Sequence, residues 1–259
     1  MHVQHFHPRG RRGTVLFLHG LGSAGEAWAG QAPVLRALDL QGLAPDLPGF
    51  GRSPWPGGPV TLDRFADFAR EVLDQHGVER AHVVGISFGG VVAQRLALRA
   101  PERVQTLTLV NTFARLKPQT WRDWLYFLTR GALALLLSPR WQASLVAKRI
   151  FPKPEHQTFR QILAQHIRMA DPRVYRRVMW ELMRVDLTDE LPRIQAPTLV
   201  VMGQEDTTTP PQVQQILAER IPNARAVLLP GGHGLIADQA DAFNQTWQAF
   251  LQEHLEKAG

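Results

Sequence analysis

Ala81-His82-Val83-Val84-Gly85-Ile86-Ser87-Phe88-Gly89-Gly90-Val91-Val92-Ala93-Gln94-Arg95-Leu96 changes its period in the middle. Residues 81–86 form a nearly continuous apolar run, which suits a strand buried on both faces of a parallel sheet. From Phe88 onward the apolar residues fall at helical spacing. Between the two stands Gly85-x-Ser87-x-Gly89, the spacing of a nucleophile elbow. Such a turn lifts its serine into an exposed, strained position, and small neighbours are needed where strand and helix leave no room for side chains. The motif recurs by chance; its place between a strand and a helix gives it weight.

The alternation continues outward. Segments 14–18, 41–45, 104–110, 198–202 and 224–229 are further β-rich runs, and helical patterns occupy 26–38, 62–76, 88–99, 211–221 and 237–257. This predicts an α/β fold with a doubly wound, mostly parallel sheet and helices on both faces. The pattern breaks once. Residues 113–185 hold no convincing strand, and Pro118, Pro139, Pro152, Pro154 and Pro172 divide them into helical pieces, since proline starts helices better than it continues them. A helical insertion between two parallel strands is a lid over the strand ends. The expected organisation is a core domain of residues 1–112 and 186–259 with a helical cap of residues 113–185.

A serine is a poor nucleophile until a base takes its proton, and that base needs an orienting acid. His233 lies in Pro230-Gly231-Gly232-His233-Gly234, directly after the last β-rich run, and Asp206 lies in Gly203-Gln204-Glu205-Asp206, directly after the one before it. All three candidates fall at C-terminal strand ends, where open α/β sheets place their ligands. Glu205 and Asp189 compete for the role of acid, and Asp206 can also be read as a helix cap for the threonines that follow. The strand before the insertion ends in Asn111, so no acid stands there. The developing oxyanion needs two backbone donors. The Phe88 amide follows the serine at a helix N-terminus, and the Leu21 amide in His19-Gly20-Leu21-Gly22-Ser23 is the expected second. His19 reads as structural rather than as a second base.

Taken together, His19-Gly20, Asp46-Leu47-Pro48-Gly49-Phe50-Gly51-Arg52-Ser53, Gly85-Ile86-Ser87-Phe88-Gly89-Gly90, Asp206 and Gly232-His233 resemble the lidded α/β-hydrolase superfamily. The resemblance runs from near Thr14 to the C-terminus and is weakest in the lid, which the family inserts after its sixth strand. It points to the small bacterial carboxylesterases, enol-lactonases and carbon–carbon bond hydrolases. Relatives that dehalogenate or open epoxides use an aspartate nucleophile, so Ser87 argues against those activities. So few residues precede the first clear strand that the family's N-terminal antiparallel hairpin is expected to be abbreviated or missing.

One alternative uses the same glycines. Gly20, Gly22 and Gly25 satisfy G-x-G-x-x-G between a strand and a helix, with Asp46 near the next strand end, the fingerprint of a nicotinamide-dependent oxidoreductase. The hydrolase reading uses those glycines as an oxyanion loop and also gives work to Ser87, Asp206 and His233, which the alternative leaves idle. It needs no cofactor. His2, His5 and His7 read as exposed residues on a frayed strand with no carboxylate cluster beside them, so no metal is assigned.

Composition sets the remaining bounds. The 259 residues are 44% hydrophobic and 20% charged with no cysteine, which fits one folded domain and excludes disulfides and thiolate chemistry. Residues 1–13 lack the apolar stretch of a secretory signal, and the apolar stretch 124–137 is short and broken by Arg130. A cytoplasmic protein without a transmembrane segment is expected.

The net charge of +6 sits in the insertion, where fourteen Lys or Arg face four Asp or Glu. Arg140, Lys148, Arg168 and Arg176 are among them. Two readings follow: a solvated arginine-rich surface, or attraction of an anionic or carrier-protein-tethered substrate. No motif supports nucleic-acid binding. Trp121, Trp124, Phe127, Leu128, Leu135 and Leu136, with Trp141 and Leu145 in the next piece, predict an apolar inner face. Gly20, Trp124, Phe127, Leu128 and Leu235 are the pocket candidates for a small-molecule ester with an apolar acyl group.

Overall fold

A computed structural model describes residues 1–116 and 139–256. Its strands are β1 Val3–Phe6, β2 Thr14–Leu18, β3 Gln41–Pro45, β4 Ala81–Ile86, β5 Val104–Val110, β6 Thr198–Gly203 and β7 Ala224–Leu229. They form one sheet in the order β1-β3-β2-β4-β5-β6-β7, in which only the β1–β3 pairing is antiparallel. Its helices are α1 Ala32–Leu38, α2 Leu62–Gln75, α3 Phe88–Arg99, α4 Pro139–Ile150, α5 Gln157–Met169, α6 Pro172–Arg184, α7 Pro211–Arg220, α8 Leu235–Asp238 and α9 Ala240–Glu256.

The apolar strand runs are explained by burial on both faces. In β2, Leu16 and Leu18 join one core cluster while Val15 and Phe17 join the other. In β6, Val200 and Met202 divide from Leu199 and Val201 in the same way. Because successive side chains point to opposite faces, one run feeds two cores. The first core takes Phe65, Val72 and Leu73 of α2 with Val91, Val92 and Leu96 of α3. The second takes Val34 and Leu35 of α1 with Phe243, Trp247 and Phe250 of α9. The sheet is doubly wound.

The N-terminus departs from expectation in one respect. Residues 3–6 are a paired edge strand and not a frayed one: Val3 stands opposite Pro45 and Phe6 opposite Gly42, and the His2 amide donates to Ser53 Oγ at 2.9 Å. One antiparallel strand stands at the edge where the family's hairpin was expected. Among the described residues no group of His, Cys, Asp or Glu could hold a metal ion.

Between β5 and β6 the described residues include the helices α4, α5 and α6, as the prolines suggested, and Arg115 and Asp186 form a single antiparallel bridge. Pro172 opens α6, and the Asp171 carboxylate caps it by accepting the Arg173 and Val174 amides at 2.8 and 3.3 Å. Helices α5 and α6 rest on the loops after β2 and β3: Asp171 N donates to Gly49 O at 2.8 Å, and a Cβ on Gly22 would come within 2.7 Å of Ile167. Two expectations fail here. Trp141 and Leu145 are 79% and 62% exposed, because α4 turns Ala143, Val146 and Ala147 inward instead. Small residues on that face let α4 pack closely on its neighbour. Trp121, Trp124, Phe127, Leu128, Leu135 and Leu136 lie outside the described residues. No described helix is long and apolar enough to cross a membrane.

Candidate active site

Ser87 stands between β4 and α3 with φ 54° and ψ −120°, a left-handed conformation that costs a residue with a side chain about 1–2 kcal/mol. Neighbouring backbone forces the turn. A Cβ on Gly85 would run into the Gly89 carbonyl, and one on Gly89 would run into the carbonyls of Leu18 and His19. The Ser87 carbonyl accepts Thr112 Oγ1 at 2.7 Å and the Gly90 amide at 2.9 Å, while its own amide donates to Val110 O at 3.0 Å. Phe88 is fully buried, with its ring edge-on to Phe65 at 5.0 Å. The start of α3 is thereby anchored, and with it the candidate nucleophile.

The three candidates from distant parts of the chain meet. His233 Nε2 lies 3.0 Å from Ser87 Oγ, and His233 Nδ1 lies 2.8 Å from Asp206 Oδ2. Asp206 Oδ1 accepts the Thr208 and Thr209 amides at 2.7 and 2.9 Å, and Oδ2 also accepts Thr209 Oγ1 at 2.8 Å. Burial alone would push this carboxyl up, but the charge and hydrogen bond of His233 and the bonds from Thr209 outweigh it and hold the group below its usual range. The competing acids are elsewhere. Glu205 is exposed and pairs with Lys153 at 3.5 Å, and Asp189 is exposed.

The loop after β2 completes the geometry. A Cβ on Gly20 would sit 3.7 Å from Ser87 Cβ, so this backbone passes directly over the serine, and both Gly20 and Leu21 line the adjoining cavity. His19 fixes the loop from behind. Its Nε2 accepts the Leu47 amide at 2.9 Å and its Nδ1 stands 2.8 Å from Gly20 O, which assigns the proton to Nδ1. Burial, the dominant effect, pushes His19 down to about 4 despite the raising influence of Gly20 and Asp46. The ring is therefore neutral and committed to the backbone. Asp46 is equally occupied: its two oxygens accept the Gly25 and Arg52 amides at 2.7 and 2.8 Å. That leaves no free carboxylate for a ribose, as the nicotinamide alternative would need.

A cavity of about 700 Å³ opens beside Ser87 and His233. Phe113, Ile150, Phe151, Phe159, Leu163 and Met179 make its wall apolar, and Glu26, Arg149 and His166 supply polar groups. His166 Nε2 lies 2.6 Å from Glu26 Oε1, joining α5 to the loop after β2. Gly20 lines the cavity as expected. Leu235 does not: it and the next residue, Ile236, both belong to the second core cluster, and only Ile236 also reaches the cavity wall. Trp124, Phe127 and Leu128 fall outside the described residues. Sequence reasoning missed Thr209 as a ligand of the acid, although the run Thr207-Thr208-Thr209 after Asp206 was a signal for it.

Comparison with known proteins decides the family. A sequence profile described as the alpha/beta hydrolase fold matches residues 13–240. The chain belongs to the α/β-hydrolase family. It is 33% identical to a protein from Caulobacter sp. (strain K31) provisionally named carbamate hydrolase RutD, over 96% of this chain and 94% of that one. Among solved structures it is similar to the enol-lactonase from Burkholderia xenovorans LB400, with a TM-score of 0.85 at 26% identity, covering 97% of this chain and 96% of the lactonase. It is also similar to a thermophilic esterase from Thermogutta terrifontis, with a TM-score of 0.83 at 26% identity, covering 98% of this chain and 93% of the esterase. As a member of this family the chain is a hydrolase.

Proposed function

We propose that this α/β-hydrolase is a carboxylesterase, cleaving esters with an apolar acyl group through an acyl-enzyme intermediate. The observation that carries the proposal is the line from Ser87 Oγ through His233 to Asp206, at 3.0 and 2.8 Å, at the edge of an apolar cavity. Ser87 Oγ attacks the ester carbonyl while His233 Nε2 takes its proton. The Leu21 and Phe88 amides hold the tetrahedral oxyanion, aided by the positive end of α3. His233 then protonates the leaving alcohol. Water gives a proton to the same nitrogen as it attacks the acyl carbon, and that proton passes to Ser87 Oγ as the acyl–serine bond breaks and the acid leaves. Asp206 keeps the imidazole in the tautomer this requires. Residues 113–185 act as the cap that supplies the outer wall of the acyl site, over a core of residues 1–112 and 186–259.

Lactone hydrolysis is the second reading, favoured by the likeness to an enol-lactonase; a lactone is an internal ester and needs the same steps. A carbamate, the substrate in the name of the Caulobacter relative, is less favoured where it is small and polar. It would leave most of an apolar cavity of about 700 Å³ unfilled. The basic cap adds a further element to the proposal, that the acyl group arrives as an anionic or carrier-tethered substrate. A panel of p-nitrophenyl esters of increasing chain length, run beside lactones and aryl carbamates, tests these readings. The ester reading predicts kcat/KM rising with acyl length until the cavity is filled. Turnover confined to lactones or to carbamates overturns it.

A further inference from the structure

Asn111 directly follows β5, with φ 44°, and is fully buried. Left-handed backbone is expensive for most residues, and asparagine is among the few that tolerate it. Its polar atoms are all engaged. The amide N–H donates to Val201 O at 3.0 Å, and the carbonyl accepts Thr209 Oγ1 at 3.1 Å. Side-chain Oδ1 accepts Gly203 N at 2.7 Å and Gln214 Nε2 at 3.5 Å. Side-chain Nδ2 donates to Gly232 O at 2.9 Å and His233 O at 3.2 Å. Both amide hydrogens therefore go to the loop that carries His233. The oxygen holds the end of β6, which leads into Asp206. Thr209 closes the circuit, since its one hydroxyl proton is shared between Asn111 O and Asp206 Oδ2.

We infer that Asn111 is a positioning residue: its carboxamide joins the His233 loop to the Asp206 loop and keeps the imidazole in line between Asp206 and Ser87. The inference rests on the serine-hydrolase reading and adds a residue that does not line the cavity. The chemistry of the site requires an amide in particular. A carboxylate of the same shape could accept Gly203 N, but it would set oxygen against the carbonyls of Gly232 and His233. A strand end that needs two donors cannot also supply the acid, which fits the acid standing on the next loop at Asp206. Because a displacement of about 1 Å can cost about 10²-fold in rate, loosening this joint acts on the chemical step while leaving the cavity wall intact.

The test compares wild type, Asn111→Asp and Asn111→Ala in two assays: ester turnover, and the rate at which a fluorophosphonate labels Ser87. The expected result is a fall in kcat of about 10- to 100-fold with KM within about twofold, a parallel fall in labelling rate, and a loss in Asn111→Asp at least as large as in Asn111→Ala. A role in packing alone predicts the opposite ranking, since aspartate fills the space and alanine does not. Wild-type kcat and labelling rate in Asn111→Asp, or a loss confined to KM, overturns the inference. Should the aspartate variant fail to fold, Asn111→Ala carries the same kcat and labelling criteria without a buried charge. Failure of the wild type itself to label at Ser87 contradicts the serine-hydrolase reading instead, so the two failures are distinguishable.

Discussion

His19 and Leu47 tie two loops of the candidate site together: the Leu47 amide donates to His19 Nε2 at 2.9 Å, and the other nitrogen of the ring holds Gly20 O. The imidazole is thus a bracket for the oxyanion loop and not a second base. His19→Ala leaves the Leu47 amide and the Gly20 carbonyl without these partners and opens a cavity, which should cost about 2–4 kcal/mol of stability. Turnover should fall by about 10-fold or more as the loop loosens, while the residual activity keeps the wild-type pH profile. Disappearance of the acid limb of that profile would show that His19 takes a proton in catalysis.

Ser87 illustrates how a site of this kind stores strain. Its φ of 54° suits glycine. Ser87→Gly should therefore abolish hydrolysis and leave the protein as stable as wild type or up to about 1 kcal/mol more stable. Thermal unfolding of the two proteins checks this. A marked loss of stability in the glycine variant means the elbow is held by the serine side chain and not by its neighbours.

His82 gives the fold a pH dependence separate from catalysis. It is fully buried on β4, its Nδ1 lies 2.9 Å from Thr106 Oγ1, and burial above all pushes it down to about 4. The ordinary histidine value is about 6.5. Between these values the unfolded chain binds a proton that the folded chain refuses, so stability rises with pH across the window and is lost on acidification. The loss attributable to this group reaches about 3 kcal/mol near pH 4. His19, pushed down to about 4 as well, contributes over the same window, so His82→Gln should lessen the slope between pH 4 and 6.5 in urea unfolding without abolishing it. An unchanged slope would place the dependence elsewhere.

The charge of the helical segment makes a kinetic prediction. Arg140, Lys148, Arg173 and Arg176 lie on its described part. If they steer an anionic substrate, raising the salt concentration should lower kcat/KM for that substrate several-fold and leave a neutral ester of the same acyl length unaffected. Equal salt responses for both substrates would reduce the basic surface to a means of solvation.

Much of this arrangement could be read along the chain because its physics is local. A strand buried on both faces needs a continuous apolar run, and a sharp strand-to-helix turn needs Gly85 and Gly89, so both leave marks in the sequence. The Ser87 and Asp206 positions were legible for a related reason, since each follows such a run, while His233 follows the half-exposed edge strand β7 in a glycine-rich loop. Contacts between distant segments left weaker traces. Nothing near Leu235 tells which way a four-residue helix turns its side chains; the core took both Leu235 and Ile236, and only Ile236 also reached the cavity. On α4 the large residues Trp141 and Leu145 looked like the buried face, but close helix packing favoured Ala143 and Ala147. Asn111 was visible only as an acid position left unfilled; its six hydrogen bonds depend on strand, helix and loop residues far away in sequence.

The proposed mechanism requires that Ser87 become acylated during turnover. Rapid mixing with a p-nitrophenyl ester, followed by acid quench and mass spectrometry of the peptide containing residue 87, measures this directly. The expected outcome is a burst approaching one equivalent of p-nitrophenol with the acyl mass carried on Ser87, and neither burst nor adduct in Ser87→Ala. Turnover at the wild-type rate in Ser87→Ala, or an adduct on any other residue, contradicts it.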